Sequence, residues 1–280
     1  MGKTAAGLLV AGAALLSYEE NNRLSVTKLR LSFAGLPKAF DGFTVVQLSD
    51  LHNKRFGQNQ NRILRQVEAL EPDAICITGD LIDKRRTTVF TLGDALELCR
   101  GALRLAPVYY VPGNHEASFS MYPFLKKQMK SMGVRVLENQ SVLLYRGGET
   151  LRIAGVDDPK FFGERKMKQM QNLIQATGQW DGIFTLLLSH RPEELQNYSV
   201  SGADLVLTGH AHGGQFRLPK IGPVYVPNQG FFPTLAQGVH RCGKTTMIIS
   251  RGLGNSAFPQ RIFNRPEIVR VVLTCHKSSE

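Results

Sequence analysis

Five short apolar runs constrain this chain more than anything else in it, because each breaks off in Asp, Asn or His. Phe43–Leu48 stops at Ser49-Asp50-Leu51-His52, and Ala74–Thr78 stops at Gly79-Asp80-Leu81-Ile82-Asp83. Val108–Val111 stops at Pro112-Gly113-Asn114-His115-Glu116, and Ile183–Leu188 at Ser189-His190-Arg191-Pro192. The fifth, Ala203–Leu207, ends in Thr208-Gly209-His210-Ala211-His212. Runs this short and this continuous suit strands buried on both faces. Between them lie stretches with helical spacing: Asn59–Leu70, a segment around Val89–Leu103, and Tyr122–Met132. Strand alternating with helix is an α/β pattern. Parallel strands that end on one edge of a sheet deliver the residues after them into one crevice, where open α/β sheets bind ligands.

The remaining segments are read in the same way. Leu24–Phe33 alternates as a strand. Val134–Val156 reads as hairpins around Gly147-Gly148, Phe161–Thr177 as a helix and Glu193–Tyr198 as a short helix. Beyond His212 the β-formers Tyr225-Val226, Thr245–Ile249 and Ile268–Leu273 predict a second, mostly antiparallel sheet. No long linker interrupts the chain, so both sheets are expected face to face in one domain, residues 23–280. Gly238-Val239-His240-Arg241-Cys242-Gly243-Lys244-Thr245 fits a phosphate-loop pattern, but β-formers follow it where a helix is required, so it reads as a hairpin turn. Arg251-Gly252-Leu253-Gly254-Asn255 lacks a dinucleotide fingerprint's third glycine and reads as a loop near the rim of the crevice.

The net charge of +11, from 34 Lys and Arg against 23 Asp and Glu, favours anionic partners without choosing among them. Basic residues are scattered, with no aromatic stacking row among them, so nucleic acid is not the expected partner. Cys76, Cys99, Cys242 and Cys275 have neither zinc-site nor disulfide-framework spacing. Residues 1–22 form a separate apolar segment. Thr4–Ser17 carries no charge, is preceded by Lys3 and is followed by Glu19 and Glu20. It is shorter than the roughly 20 residues of a spanning helix. A signal-peptide core, a short anchor and a buried helix all fit. Membrane attachment through residues 4–18 is the expectation, with the body outside the cytoplasm and a cytoplasmic location as the alternative.

Asp50, His52, Asp80, Asn114, His190, His210 and His212 offer oxygen and imidazole without thiolate. That donor set suits two divalent ions, Mn, Fe or Zn, with Mg also compatible. A two-metal site needs a carboxylate between its ions, and it clamps a phosphoryl oxygen while generating a hydroxide. Any one of these residues has an ordinary turn role; five strand ends sharing the chemistry do not.

The order Ser-Asp-Leu-His, Gly-Asp-x-x-Asp, Gly-Asn-His-Glu, Ser-His, Gly-His-Ala-His resembles the calcineurin-like metallophosphoesterases over about residues 43–215. The lead-in from Leu24 to Gln47 and the stretches Ser250–Gly254 and Arg265–Ile268 look like their bacterial membrane-associated branch. The resemblance implies an α/β fold, a four-layer α/β/β/α sandwich of two mixed sheets. It implies that Asp50, His52 and His212 hold one ion, that Asn114, His190 and His210 hold the other, and that Asp80 bridges them. It further implies a metal-bridging hydroxide that attacks phosphorus. His115 would give a proton to the leaving oxygen, and Asp83 would orient His115 and keep it charged. Glu116 is left as a supporting residue or a helix start. Phosphoprotein phosphatases of the superfamily carry Arg after the second Asp of the Gly-Asp motif; here Lys84 stands there, and an ammonium replaces a bidentate clamp poorly. The expected substrate is therefore a small or lipid-linked anionic phosphodiester. A nuclease and a non-catalytic binding module are the alternatives.

Overall fold

A computed structural model describes residues 2–88, 90–163, 166–178, 181–226, 229–255 and 258–275. In chain order the helices are α1 (Gly2–Asn22), α2 (Asn61–Glu68), α3 (Gly93–Ala102), α4 (Tyr122–Met132), α5 (Lys166–Thr177) and α6 (Leu195–Val200). The expected helix start at Val89 lies outside the described residues. The first strands are β1 (Ser25–Phe33), β2 (Thr44–Leu48), β3 (Ala74–Thr78), β4 (Val108–Val111) and β5 (Arg135–Val136). Next come β6 (Gln140–Arg146), β7 (Glu149–Gly155), β8 (Thr185–Leu188) and β9 (Leu205–Thr208). Four two-residue strands follow, β10 (Arg217–Leu218), β11 (Gly222–Pro223), β12 (Tyr225–Val226) and β13 (Gly230–Phe231). The last three are β14 (Gly238–Cys242), β15 (Thr245–Ile249) and β16 (Glu267–Cys275).

Two six-stranded mixed sheets form, ordered β1-β16-β2-β3-β4-β5 and β14-β15-β9-β8-β7-β6. Every residue of β2, β3, β4, β8 and β9 is buried, as continuous apolar runs require. Alternation then sorts the side chains into layers. Ile75 and Ile77 face α2, α3 and α4 through Ile63, Leu98 and Leu125, whereas Cys76 faces the other sheet. Leu205 and Leu207 answer from that sheet, and Val206 turns away to pack under α5 and α6 with Leu173 and Tyr198. The order is thus helix, sheet, sheet, helix. One polar strut crosses the middle: Gln47 Nε2 donates to Thr208 O (2.8 Å) and Thr78 Oγ1 (3.0 Å).

Two expectations change. The second sheet is not mostly antiparallel: β7, β8, β9 and β15 run parallel, and only its edge pairs β14/β15 and β6/β7 are antiparallel. The Ile268–Leu273 stretch does not join that sheet. As β16 it inserts into the first one, parallel to β1 and antiparallel to β2. Local patterning reports a strand but not its partner, and here both partners lie far away in sequence. The Gly238–Thr245 stretch is the β14–β15 hairpin, turning at Gly243 with φ 56°.

No helix among the described residues is long and apolar enough to cross a membrane. The C-terminal end of α1 is stitched to the body. Asn21 Oδ1 accepts from Arg261 N (3.0 Å), and Glu20 Oε2 accepts from Asn264 N (3.0 Å). Glu20 Oε1 pairs with Arg265 Nε at 2.9 Å. Lys54 and Arg62 donate to the helix-end carbonyls of Asn21 and Asn22, where the dipole favours cations.

Candidate metal centre

The chain turns abruptly where each central strand ends. Asp50, His52, Asp80, His210 and His212 all have left-handed backbones, with φ between 49° and 68°. For residues with a Cβ that conformation costs roughly 1–2 kcal/mol each, and such strain collects at functional sites when the surroundings enforce it. Glycines let the turns approach. A Cβ on Gly113 would lie 2.3 Å from Asp80 Oδ1, and one on Gly209 would lie 2.0 Å from Ser49 Oγ.

These turns bring together Asp50, His52, Asp80, His190, His210 and His212, with Asn114 on the turn beside them. Asp50, His52 and His212 present ligand atoms within 4.8 Å of one another, as do Asp80, His190 and His210. His52, Asp80 and His115 form a third group that joins the first two. Asp80 lies at the centre. Its Oδ1 accepts from His115 N (2.9 Å), which turns Oδ2 towards His190 Nε2 (3.2 Å) and His52 Nε2 (3.7 Å). On the other side, Asp50 Oδ1 is 3.3 Å from His212 Nε2, and His52 Nε2 is 3.0 Å from His212 Nε2. Asp50 also spans the two sheets, accepting from His210 N at 3.1 and 3.2 Å.

The donors fit two cations. The Thr78 carbonyl lies 2.7 Å from His190 Nδ1 and can only accept, so Nδ1 carries a proton. In the neutral ring Nε2 then has a lone pair and faces Asp80 Oδ2 at 3.2 Å, two acceptors with room for a cation to satisfy both. Asn114 Oδ1 is buried and unpartnered. Buried polar atoms normally find partners, and both His190 Nε2 and Asn114 Oδ1 belong to the expected second-ion set. With no cation present, the buried charges compensate one another. Burial lifts the Asp50 carboxyl to about 6, with Asp80 adding to the rise. Burial opposes charge on His190 too, but Asp80 and Asp50 outweigh it and hold this imidazole up at about 10. Burial also favours a neutral Asp80, yet His190, His115 and His52 pull its carboxyl well down. Burial keeps His52 uncharged, down at about 3, and pushes His210 and His212 well below their usual range.

His115 stands beside this cluster, its ring 4.6 Å from that of His52. Lys84 N–H donates to its Nδ1 at 3.1 Å. The ring proton of the neutral form therefore sits on Nε2, the nitrogen facing Asp80 Oδ2 at 4.0 Å. Asp83 Oδ1 is 3.3 Å from Nδ1 and draws the pKa upward as expected. Burial is the larger effect, and the net direction is down. The Asp83 oxygen also receives Arg85 N (3.0 Å) and Nε (3.1 Å), so its charge is shared.

Of the supporting residues, Glu116 reads from the sequence as a support or a helix start, whereas Arg191, Arg261 and Asn264 are not visible there as such. Glu116 is fully buried and accepts four backbone N–H groups: Asp80 (2.9 Å), Leu81 (2.8 Å), Ile82 (3.3 Å) and Gly113 (2.8 Å). It fixes the Asp80 turn to the Asn114 turn. Its place in Gly-Asn-His-Glu was the available signal. Arg191 Nη1 lies 2.8 Å from His210 Nε2, with Asp158 taking Nε at 2.6 Å. Arg261 is wholly buried under His212, its Nη2 3.4 Å from Nδ1, and it donates to the carbonyls of Arg251, Gly252 and Asn264. Asn264 Nδ2 donates to His212 O (2.6 Å). Nothing near Arg261 or Asn264 in the sequence announces these contacts.

A sequence model of the calcineurin-like phosphoesterases matches residues 43–214. The chain is 30% identical over 277 residues to the uncharacterized metallophosphoesterase YkuE of Bacillus subtilis, covering 95% of this chain and 92% of that one. It is 27% identical to the transmembrane protein with metallophosphoesterase domain of Danio rerio, over 89% of this chain and 57% of that one. Among solved structures, the sulfate thiohydrolase SoxB of Thermus thermophilus, in complex with glycerol, aligns with a TM-score of 0.50 at 14% identity, over 85% of this chain and 57% of that one. That likeness concerns the fold alone.

Proposed function

The chain belongs to the calcineurin-like phosphoesterases, a membership that implies metal-dependent phosphoester hydrolysis, and from it we propose a two-metal phosphodiesterase acting on a small or lipid-linked anionic ester. The observation that carries this reading is the placing of Asp80 between two donor groups, one containing Asp50, His52 and His212, the other His190 and His210. Asn114 would complete the second group. Four imidazoles among seven donors favour Mn, Fe or Zn over Mg. Bound there, two such ions would supply Lewis acidity to a phosphoryl oxygen and acidify a water molecule.

The chain's own residues supply the rest. His115 holds a proton on Nε2 at the edge of the cluster, placed for the leaving oxygen; such a general acid contributes about 10²–10⁴-fold. Lys84 N–H sets the tautomer that makes this proton available. Asp83, fixed by Arg85, holds the turn that carries Lys84. Asp50 and Glu116 are tied to backbone N–H groups and leave the donor turns little freedom. The diester preference is supported by the lack of a bidentate arginine after Asp83: Lys84 stands there, and the fork of Arg191 is occupied by Asp158 at 2.6 and 3.3 Å. A dianionic monoester would want that fork. Membrane attachment through the uncharged run Thr4–Ser17, with the body outside the cytoplasm, belongs to the same reading.

The test is hydrolysis of bis-p-nitrophenyl phosphate beside p-nitrophenyl phosphate by the full chain, stripped of metal and then given Mn, Zn, Fe or Mg. We expect metal-restored turnover of the diester, at least tenfold above the monoester. Monoester turnover alone would overturn the diester preference. Two bound ions with no turnover of either ester would point to a binding module.

A further inference from the structure

Eleven of the eighteen large apolar side chains exposed among the described residues fall in three segments, 15–18, 218–232 and 258–263. In α1, Ala11, Gly12, Ala14, Leu15 and Leu16 are all exposed. At about 100° per residue these positions span roughly 200° of the helix surface, so this part of the helix does not lie against the body on one apolar face. A helix that is apolar around its circumference belongs in a core or in lipid. Among the described contacts, those that hold this helix to the body come from its last turns, Ser17 to Asn22.

The neighbouring surface continues the same character. A cleft of about 310 Å³ runs between Leu16 of α1 and Ile262 and Phe263. A second, of about 340 Å³, runs from Phe263 to Leu218, Lys220 and Ile221. Phe263 is 52% exposed and Ile221 63%. Parallel pairing of Phe216 with Ile262, and Arg217 N donating to Ile262 O at 3.1 Å, joins the second segment to the third. The joined surface flanks the metal centre directly, because Asn264 holds the His212 carbonyl and a Cβ on Gly214 would lie 2.5 Å from Pro223.

We propose that the surface formed by the end of α1, the Ile262-Phe263 loop and the β10–β11 hairpin is a docking face for an anionic lipid bilayer, which sets the metal centre at the membrane surface. Charge selects this occupant over a second copy of the chain. The face carries Lys220 and belongs to a molecule of net charge +11, which anionic headgroups attract and an identical partner repels. From Thr4 to Ser17 the uncharged part of α1 is about 21 Å long, against a hydrocarbon core of about 30 Å. It is therefore too short to cross and lies tilted in the near leaflet while its C-terminal end stays on the protein, and phosphoesters of membrane amphiphiles come within reach of the centre. That choice of substrate rests on the hydrolase reading above; the docking itself does not.

The experiment is flotation of the full chain with vesicles of phosphatidylglycerol and phosphatidylcholine, beside vesicles of phosphatidylcholine alone. The native chain should bind the anionic vesicles at least tenfold more tightly. Leu218→Glu with Ile221→Glu should lower that binding at least tenfold, with the circular dichroism spectrum unchanged; if that pair unfolds, Lys220→Glu should still reduce the anionic preference. Unchanged binding by the variants would place the contact in α1 alone and overturn the proposal. So would absence of vesicle binding, or a native dimer in solution that the double variant splits. Vesicle binding without turnover of any ester would sink only the hydrolase reading, and turnover without vesicle binding only this one.

Discussion

The two halves of the metal centre are held in opposite ways. Around Asp80, His190 and Asn114 the supports are local. Glu116 ties the Asp80 and Asn114 turns from two residues beyond Asn114, and the Thr78 carbonyl two residues before Asp80 orients His190. Around His212 they come from far away. Asn264 and Arg261 reach it from a loop that is itself held by Glu20 and Asn21 of α1. The first half carries its scaffold inside its own motifs. The second borrows a scaffold from both ends of the sequence, and is therefore the half that distant changes can reach.

Four substitutions test this contrast, in falling order of effect. Asp80→Ala removes the one carboxylate that faces both halves. Both ions and all measurable turnover should disappear together, read by elemental analysis against two ions per native chain; one retained ion would mean the halves are independent. His115→Ala should keep both ions and lower kcat by about 10²–10⁴-fold, most for esters with poor leaving groups. Lost metal would show that His115 holds a cation and not a proton. Arg261→Met should leave buried carbonyls without donors and destabilise the fold by about 1–3 kcal/mol for each acceptor left unpaired, measured by denaturant unfolding. Ion affinity should fall at the His212 half alone, so that titration shows one tight and one weak site. Equal weakening of both would erase the distinction. Glu20→Ala, 244 residues from its partner Asn264, should have the smallest effect, about 1–3 kcal/mol for the unpaired N–H, with a few-fold loss of metal affinity at the same half.

The contrast also explains what the sequence could and could not disclose. Asp50, His52, Asp80, Asn114, His190, His210 and His212 were readable because each directly follows a strand whose apolar run is itself a signal. The central strands were readable for the same reason, and α4 from the helical spacing of Tyr122–Met132. Residues 268–273 were misplaced because alternation marks a strand without naming its neighbours, and β16 pairs with β1 and β2 from the far end of the chain. Nothing in the sequence marked Arg261, since burial of a charge is decided by carbonyls brought in from several turns. At His115 the nearby carboxylates Asp80 and Asp83 raise the pKa as proximity suggests, while burial, which no sequence pattern reports, lowers it by more.

The position of β16 sets a timetable for the newborn chain. β2 and β1, made early, never touch as partners; they wait for a strand that leaves the ribosome after nearly everything between has been made. Until then β2 has an open edge, and the turn bearing Asp50 and His52 hangs from an incomplete sheet. Such long-range closure is slow and leaves intermediates exposed to association. The turn bearing Asp50 and His52 therefore gains a complete sheet behind it only after the stretch from β3 to β15 has been made.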